Sequence, residues 1–186
     1  TQCTGEPAPQ PAGSSESFNV VGLSTGTMYY FALKAADGVP SWSEISNVAN
    51  GSTGVATSVG SNVRVSLPGA VVTFSNVATQ GATAVTMLTQ NRCGSLPAKV
   101  QAISFVDIST TAAYNGPLTV GIRYNSTNIK NPQKLSLLHC NGVQWGNVTT
   151  SIDTVNNIVY GEVTSLSDFA LGESGGCFIA TAAYGS

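Results

Sequence analysis

The sequence predicts an all-β protein built from two β-sandwich modules and a strand-like C-terminal tail. Short runs of alternating apolar and polar residues, rich in β-branched and aromatic side chains, recur along the chain. Turn residues separate these runs at intervals of about 8–12 residues. No segment keeps the i, i+3, i+4 apolar spacing of an amphipathic helix, and the best helical candidate, residues 77–85, contains Thr and Gly residues that disfavour one.

The composition argues against nucleic-acid binding and against a membrane-spanning helix. Only 9% of the 186 residues are charged, whereas a soluble domain ordinarily has about 25%. With a net charge of −2, the chain has no positive field to attract nucleic acid, so no nucleic-acid partner is expected. No run of about 18 apolar residues occurs, so no membrane-spanning helix is expected. Ser, Thr, Asn and Gln supply the polarity instead, which favours an extracellular protein.

The four cysteines are Cys3, Cys93, Cys140 and Cys177. None belongs to a CxxC pair, so the sequence has neither a thioredoxin-like redox motif nor the usual zinc-binding spacing. Two disulfides formed in an oxidising compartment are the simpler interpretation. The favoured pair is Cys93 with Cys140, because both lie in the middle of one predicted module. Cys3 and Cys177 then remain near the two ends, where they either close one chain or link neighbouring molecules.

The first predicted module comprises residues 1–53. Its first 17 residues are rich in Pro, Gly and Ser and are predicted to be loop. No export signal begins at Thr1, so the sequence is expected to be a mature form or to follow such a signal. The predicted strands are 17–21, 28–35 and 43–49. The following Asn-Gly-Ser-Thr-Gly stretch, residues 50–54, is predicted to be a linker.

The second predicted module comprises residues 54–172. The predicted strands are 61–67, 71–76, 84–89, 100–108, 118–123, 134–140, 143–149 and 158–165. Between the sixth and seventh of these, Asn141-Gly142 is a strong hairpin signal, since both residues tolerate the positive φ of a type I′ turn. Residues 173–186 form a hinge and an apolar tail strand.

Part of the first module resembles a known family. Leu23, Thr27 and Tyr29 precede the alternating run Tyr-Phe-Ala-Leu-Lys-Ala, and Ser-Glu-Ile-Ser-Asn-Val follows at residues 43–48. These residues resemble the second half of a fibronectin type III domain over about residues 14–53. The resemblance implies a corner in which Tyr29 pins the chain as it enters a strand. It also implies missing strands, since the family has about seven and this fragment supplies three.

A sandwich that lacks strands exposes an apolar face and a row of unpaired backbone groups. The residues expected on this acceptor surface are Tyr29, Phe31 and Leu33. Two interpretations remain open. Either the chain is an excised fragment whose incomplete module packs on the next one, or a strand from elsewhere completes the module by β-augmentation.

The tail is the candidate donor of that strand. After a Glu-Ser-Gly-Gly hinge, the final Cys-Phe-Ile-Ala-Thr-Ala-Ala-Tyr-Gly-Ser run carries neither charge nor Pro. Such a segment would be prone to aggregate if left in water, so it is expected to be buried against a partner surface. The residues expected to make the contact are Phe178, Ile179, Ala180, Ala182 and Tyr184. A tail that joins another molecule builds rings or filaments, whereas one that folds back gives a closed monomer.

Two further resemblances bear on location. Residues 71–77, 107–120 and 164–169 resemble a β-sandwich module that follows fibronectin-like repeats in secreted bacterial surface proteins. The final CFIATAAYGS string resembles a motif near the C-termini of many exported bacterial proteins. These resemblances imply an extracellular or bacterial cell-surface protein, and they imply no particular ligand.

No catalytic or metal site is expected from the polar residues. A glycosidase needs two facing carboxyl groups, and the pair considered is Asp107 with Glu162, but nearly all nine carboxylates lie beside turns. His139 belongs to no nucleophile motif and is expected to be an ordinary surface or core histidine. Residues 153–157 offer oxygen ligands, yet calcium needs 6–8 of them, so a polar turn is favoured. No cofactor is expected.

These observations predict a non-enzymatic extracellular structural protein. It would assemble with copies of itself into a filament or surface fibre through donor-strand complementation. The alternative is a carbohydrate- or surface-binding module processed from a larger secreted enzyme or adhesin. Trp145, beside the predicted hairpin, is the best single candidate for stacking on a sugar, although aromatic residues in sandwiches more often pair across strands.

Overall fold

The computed structural model describes residues 5, 10–11, 13–36 and 41–174. Their regular structure is almost entirely β-strand, which confirms the predicted all-β class. The strands are β1 (Met28–Phe31), β2 (Ala49–Ser52), β3 (Val55–Thr57), β4 (Gly60–Leu67), β5 (Ala70–Thr79), β6 (Gly81–Leu88), β7 (Val100–Thr110), β8 (Ala113–Arg123), β9 (Leu135–Cys140), β10 (Trp145–Asn147), β11 (Thr149–Asp153), β12 (Ile158–Val163) and β13 (Asp168–Ser174). Two short 3-10 turns lie at Ser126–Asn128 and Pro132–Lys134.

Strands β3 to β13 form a sandwich of two antiparallel sheets. The first sheet has six strands in the order β10-β9-β13-β7-β6-β3, and the second has five in the order β11-β12-β8-β5-β4. Because alternate residues of a strand point to the same face, each sheet turns one apolar row towards the other. Both sheets contribute to a single core cluster, in which Phe74 of β5 and Phe169 of β13 are completely buried.

A chain of threonine hydroxyl groups lies at the β3 side of this core. The side-chain oxygens of Thr57 and Thr83 are 2.7 Å apart, and those of Thr83 and Thr110 are 2.9 Å apart. The hydroxyl of Thr110 also donates to the carbonyl oxygen of Ala82. Thr57 and Thr83 are buried, so these bonds satisfy polar groups that would otherwise be costly to place in the core.

Strands β1 and β2 form a separate two-stranded ribbon, with Met28 opposite Ser52 and Phe31 opposite Ala49. The hydroxyl of Ser52 accepts from the N–H of Val85 at 2.9 Å and donates to the carbonyl oxygen of the same residue. Met28 packs against the sandwich core. The ribbon is therefore tied through Ser52 to the edge of β6 that also pairs with β3. The prediction of a linker at residues 50–54 is wrong, because β2 occupies the first half of that stretch.

The paired part of the ribbon is longer than β1 and β2, because two serine side chains extend it. Ser46 donates its N–H to the carbonyl oxygen of Leu33 at 2.9 Å and accepts the N–H of Leu33 on its hydroxyl at 2.8 Å. Ser43 makes the same two bonds with Ala35, at 2.8 and 3.0 Å. A bridge between Ala36 and Trp42 closes this end. Serine hydroxyls thus replace carbonyl oxygens in the ladder.

Two local predictions were wrong. Residues 17–21 do not form a strand, so the described part of the first module has two strands rather than three. The hairpin after β9 has the four-residue tip 141–144 rather than a two-residue turn. Gly142 has a φ of +95° while Asn141 does not adopt positive φ, and the side-chain oxygen of Asn141 instead accepts from the N–H groups of Val143 and Gln144.

The predicted Cys93–Cys140 disulfide is confirmed, with the two Cα atoms 6.1 Å apart. It ties the long loop between β6 and β7 (residues 89–99, here the cover loop) to the outer face of the six-stranded sheet. A small apolar cluster lies beneath the loop, formed by Leu138, Cys140, Trp145 and Ala170 with Leu96 and Phe105 against it. Cys3 and Cys177 lie outside the described residues.

Candidate functional site

The chain enters β1 through a network of hydrogen bonds. The Tyr29 hydroxyl accepts from the N–H of Ser24 at 2.9 Å. Thr53 donates its hydroxyl to the carbonyl oxygen of Ser24 at 2.6 Å and accepts from the N–H of Thr27 at 3.0 Å. These bonds fix the start of β1 relative to the end of β2. The Tyr29 hydroxyl thus ties the start of β1 back to Ser24.

One edge of β1 has no paired strand among the residues that the structure describes. Backbone bonds at Thr27, Leu33 and Ala35 all run towards the 43–53 segment. Because backbone groups of a strand point alternately to its two sides, those of Met28, Tyr30, Ala32 and Lys34 point away from it. Within the described part of the chain, the ribbon contains β1 and β2 alone. We call this side of residues 28–34 the open edge.

One face of the ribbon brings together the three predicted acceptor residues, Tyr29, Phe31 and Leu33. Alternation places them on the same side, and the rings of Tyr29 and Phe31 stack with centroids 6.3 Å apart. The residues opposite the two rings are Gly51 and Ala49, which are too small to cover them. Phe31 is 36% exposed and Leu33 is 77% exposed. We call these three side chains the apolar face.

The rest of the ribbon region is also unusually apolar. Most of the exposed large apolar side chains in the described chain lie between residues 18 and 48, namely Phe18, Val21, Tyr30, Phe31, Leu33, Trp42, Ile45 and Val48. Single exposed apolar residues are normal on a soluble protein, but a concentration of them in one part of the chain favours an interaction surface. The ribbon is therefore the best candidate for a functional surface in the described part of the chain.

The edges of the sandwich are blunted, in contrast to the open edge. Strand β4 contains Asn62 in a left-handed conformation, at φ +53°, which interrupts its regular edge. Strand β11 has an irregular register between Thr149 and Ser151. Strand β10 has only three residues. Short or irregular edges of this kind discourage pairing with other chains. The open edge has one charged side chain, Lys34, and no bulge on its own strand.

Trp145, the candidate considered for stacking on a sugar, does not lie at an open surface. Its side chain is only 7% exposed, and its indole N–H donates to the side-chain oxygen of Asn91 at 3.2 Å. Its ring lies 5.9 Å from that of Phe105. The cover loop, which carries Asn91, hides the tryptophan on the outer face of the sheet. Trp145 is thus part of a small core rather than a binding platform.

The carboxylate pair considered from the sequence is not a facing pair. Asp107 lies directly opposite Asp168 on the outer face of the six-stranded sheet, and Arg92 of the cover loop binds both. The two carboxylates, Asp168 foremost, raise the pKa of Arg92 above its ordinary value. Glu162 is exposed on β12 of the other sheet, between the buried Gly161 and Val163. The two sheets therefore separate Asp107 from Glu162.

His139 is a partly buried histidine at the end of the main core. Its ring stacks on that of Phe169 with centroids 4.7 Å apart, and its Nε2 lies 2.9 Å from the hydroxyl oxygen of Ser167. That hydroxyl donates to the carbonyl oxygen of Cys140 at 2.7 Å, so it accepts from Nε2–H of the histidine. Ser167 is therefore not arranged to lose its proton to the imidazole. Burial lowers the pKa of His139.

This lowered pKa predicts a loss of stability in acid. The unfolded chain binds a proton at His139 near pH 6.5, and the folded chain binds it only at lower pH. The free energy of unfolding should therefore fall as the pH decreases through 6.5, until the folded chain is protonated as well. Urea unfolding between pH 8 and pH 5 measures this slope. A His139→Gln chain should have a flatter profile, and an unchanged slope would contradict the assignment.

Residues 153–157 form the polar turn that the sequence favoured. One carboxylate oxygen of Asp153 accepts from the N–H groups of Val155 and Asn156, and the other accepts from the Asn156 side chain at 2.7 Å. These bonds, with the side chain of Asn156 foremost, lower the pKa of Asp153. In the residues that the structure describes, no cluster of three potential metal ligands occurs.

Two other predictions concern the tail and a membrane span. The predicted donor residues 178–184 lie outside the described residues. No helix in the described ranges is long and apolar enough to cross a membrane.

Comparisons of the chain with protein-family models, with curated proteins and with solved structures found no match. Support for a function therefore comes from the ribbon geometry and from the sequence itself.

Sequence reasoning missed the role of Ser43 and Ser46. The stretch was predicted as a regular strand, whereas in the structure each serine hydroxyl accepts a backbone N–H of the neighbouring strand and donates to the next carbonyl in its own chain. The three-residue spacing of the two serines was the available signal, because it does not fit a two-residue strand repeat. These bonds lengthen the open edge beyond Phe31.

Proposed function

We propose that this chain is a non-enzymatic extracellular structural protein that assembles with copies of itself into a filament or surface fibre. Assembly would occur by donor-strand complementation, in which a strand from outside the ribbon pairs with the open edge. The observation that carries this proposal is the coincidence of that edge with the half-buried Tyr29 and the exposed Phe31 and Leu33. A strand laid there would satisfy the backbone groups and cover the apolar face in one step.

The energetics favour a partner on this surface. Burying a large apolar side chain contributes about 1.5–3 kcal/mol, and the apolar face offers three such side chains that are wholly or partly exposed. Backbone bonds along an added strand give a defined register at the same time. An open edge without such a partner would be prone to unspecific pairing. A specific partner strand is therefore the simplest explanation for an unpaired edge beside exposed apolar side chains.

The extracellular location is supported by the disulfide and by the surface chemistry. A bond such as Cys93–Cys140 forms and persists in oxidising compartments. The surface polarity comes mainly from uncharged side chains, as the low charged fraction of 9% indicates. The alternative, a carbohydrate- or surface-binding module, loses its main support because Trp145 is buried.

The proposal is tested with two matched substitutions to aspartate. Leu33 is 77% exposed on the apolar face, and Val143 is 78% exposed at a hairpin tip of the sandwich. Leu33→Asp should abolish assembly of the full chain, because it places a charge where the donor strand must pack. Val143→Asp adds the same charge at equal exposure and should assemble as the unaltered chain does. Sedimentation and negative-stain electron microscopy measure the outcome.

Assembly of the Leu33→Asp chain at the unaltered level would contradict the proposal. So would an unaltered chain that remains monomeric at high concentration. Because both substituted side chains are exposed, thermal unfolding should give similar midpoints for the two variants. That control separates a loss of assembly from a loss of folding.

A further inference from the structure

We infer that the strand on each open edge is the apolar tail, residues 178–184, of a second copy of this chain, and not the tail of the same chain. This inference rests on the proposed function and names its donor. It follows from where β13 ends within the sheet, from how far the chain can reach, and from the length of the open edge.

The tail starts from the middle of the six-stranded sheet. Ser174 ends β13 opposite Val100 of β7, and Glu173 lies opposite Leu135 of β9. From β13, the sheet continues through β7 and β6. At the edge of β6 that pairs with β3, Ser52 also holds β2, and β1 pairs with β2 on its far side. A strand on the open edge lies one position further. Five strand spacings therefore separate β13 from the donor position.

The chain's own tail is too short to bridge this gap and still pair in full. Five spacings amount to about 24 Å, and any offset along the strands adds to that distance. Four residue steps lead from Ser174 to Phe178, and fully extended they span at most about 14 Å. Phe178 of the same chain therefore cannot reach the open edge. About half of residues 178–184 would be needed to span the gap, and these residues could not pair with the open edge.

The dimensions of the tail and the open edge agree. The outward-pointing backbone groups run from Met28 to Lys34, a stretch of seven residues, and the apolar run from Phe178 to Tyr184 also has seven. In a strand, Phe178, Ala180, Ala182 and Tyr184 share one side and are all apolar, whereas the other side includes Thr181. We place the apolar side against the apolar face. With this orientation, the allowed registers between the donor strand and β1 differ from one another by an even number of residues.

Donor and acceptor are different surfaces, so the contact is heterologous. The donor leaves from the end of β13, and the acceptor lies beyond β1 on the far side of β6 and β2. A contact of this kind leaves one free donor and one free acceptor on every pair of molecules, and it propagates into rings or open filaments. Assembly should therefore continue past the dimer in the unaltered protein.

The experiment mixes two full-length variants, each defective on one side only. The donor variant carries Ala180→Asp and Ala182→Asp, and the acceptor variant carries Leu33→Asp. Each should be monomeric alone. Mixed in equal amounts, the intact tail of the acceptor variant should occupy the intact open edge of the donor variant. Light scattering coupled to size-exclusion chromatography should then show one complex with twice the monomer mass.

Each other outcome is decisive. A mixture that stays monomeric while the unaltered chain assembles would overturn the inference and leave the proposed function standing with a different donor. A donor variant that still assembles by itself would overturn it as well. An unaltered chain that never assembles would instead remove the proposed function, and the inference with it. Replacing Leu33→Asp by Val143→Asp in the mixture should restore growth beyond the dimer, because that partner keeps both surfaces intact.

Discussion

Replacing Cys93 and Cys140 by alanine is expected to lower the free energy of unfolding by about 4 kcal/mol. The bond joins residues separated by 47 positions, and closing a loop of that size removes entropy from the unfolded chain. The cover loop would still be held by Arg92 to two carboxylates and by Asn91 to Trp145. We therefore expect the altered chain to fold to the same structure with a lower stability.

Guanidinium unfolding, followed by tryptophan fluorescence, measures this difference. Trp145 lies next to the bond, because it pairs with Cys140 across the β9–β10 hairpin. Both chains should also carry Cys3→Ser and Cys177→Ser, so that any bond formed by those cysteines does not contribute. A difference below about 1 kcal/mol would mean that the other contacts of the cover loop already restrict the unfolded chain.

Replacing Phe169 by alanine is expected to cost about 3–5 kcal/mol, since it empties a large space in the core. Phe169 is completely buried in β13, with strands paired on both sides. Its ring also stacks on His139. Without that ring the histidine would be better solvated, so its pKa should rise towards the ordinary value. The free energy of unfolding would then decrease with falling pH over a narrower pH range.

Urea unfolding and a histidine titration by nuclear magnetic resonance measure the two effects separately. Phe169→Leu is the matched control, because it keeps most of the apolar volume and should cost less than half as much. A pKa of His139 that stays low in the alanine variant would show that Ser167 and Cys140, rather than the ring, keep the imidazole from water.

Local patterns predicted most of the sandwich correctly. Alternation identified the strands around Phe74 and Leu118. These predictions succeed because a strand repeat is a local property that depends on a few neighbouring residues. The all-β class follows from the same repeats and the absence of helical spacing.

Contacts between distant residues could not be predicted in this way. Trp145 lies in a small core on the outer face of the sheet, and the cover loop, bound through Asn91 from 54 positions away, helps to bury it. Asp107 and Asp168 were seen as scattered carboxylates, although strand pairing sets them side by side under Arg92. The short run at residues 17–21 has a strand pattern without a neighbouring strand to pair with. Sheet membership depends on that neighbour, which the local sequence does not specify.

The central position of β13 has a mechanical consequence. Its residues pair with β7 on one side and with β9 on the other, from Phe169 to Glu173. Tension applied through the residue that follows Ser174 would pull along the strand axis, at right angles to those two rows of hydrogen bonds. The hydrogen bonds of both rows would then be loaded in shear at the same time, and they would not break one after another. A chain loaded through this strand should extend little before it yields, and should yield abruptly.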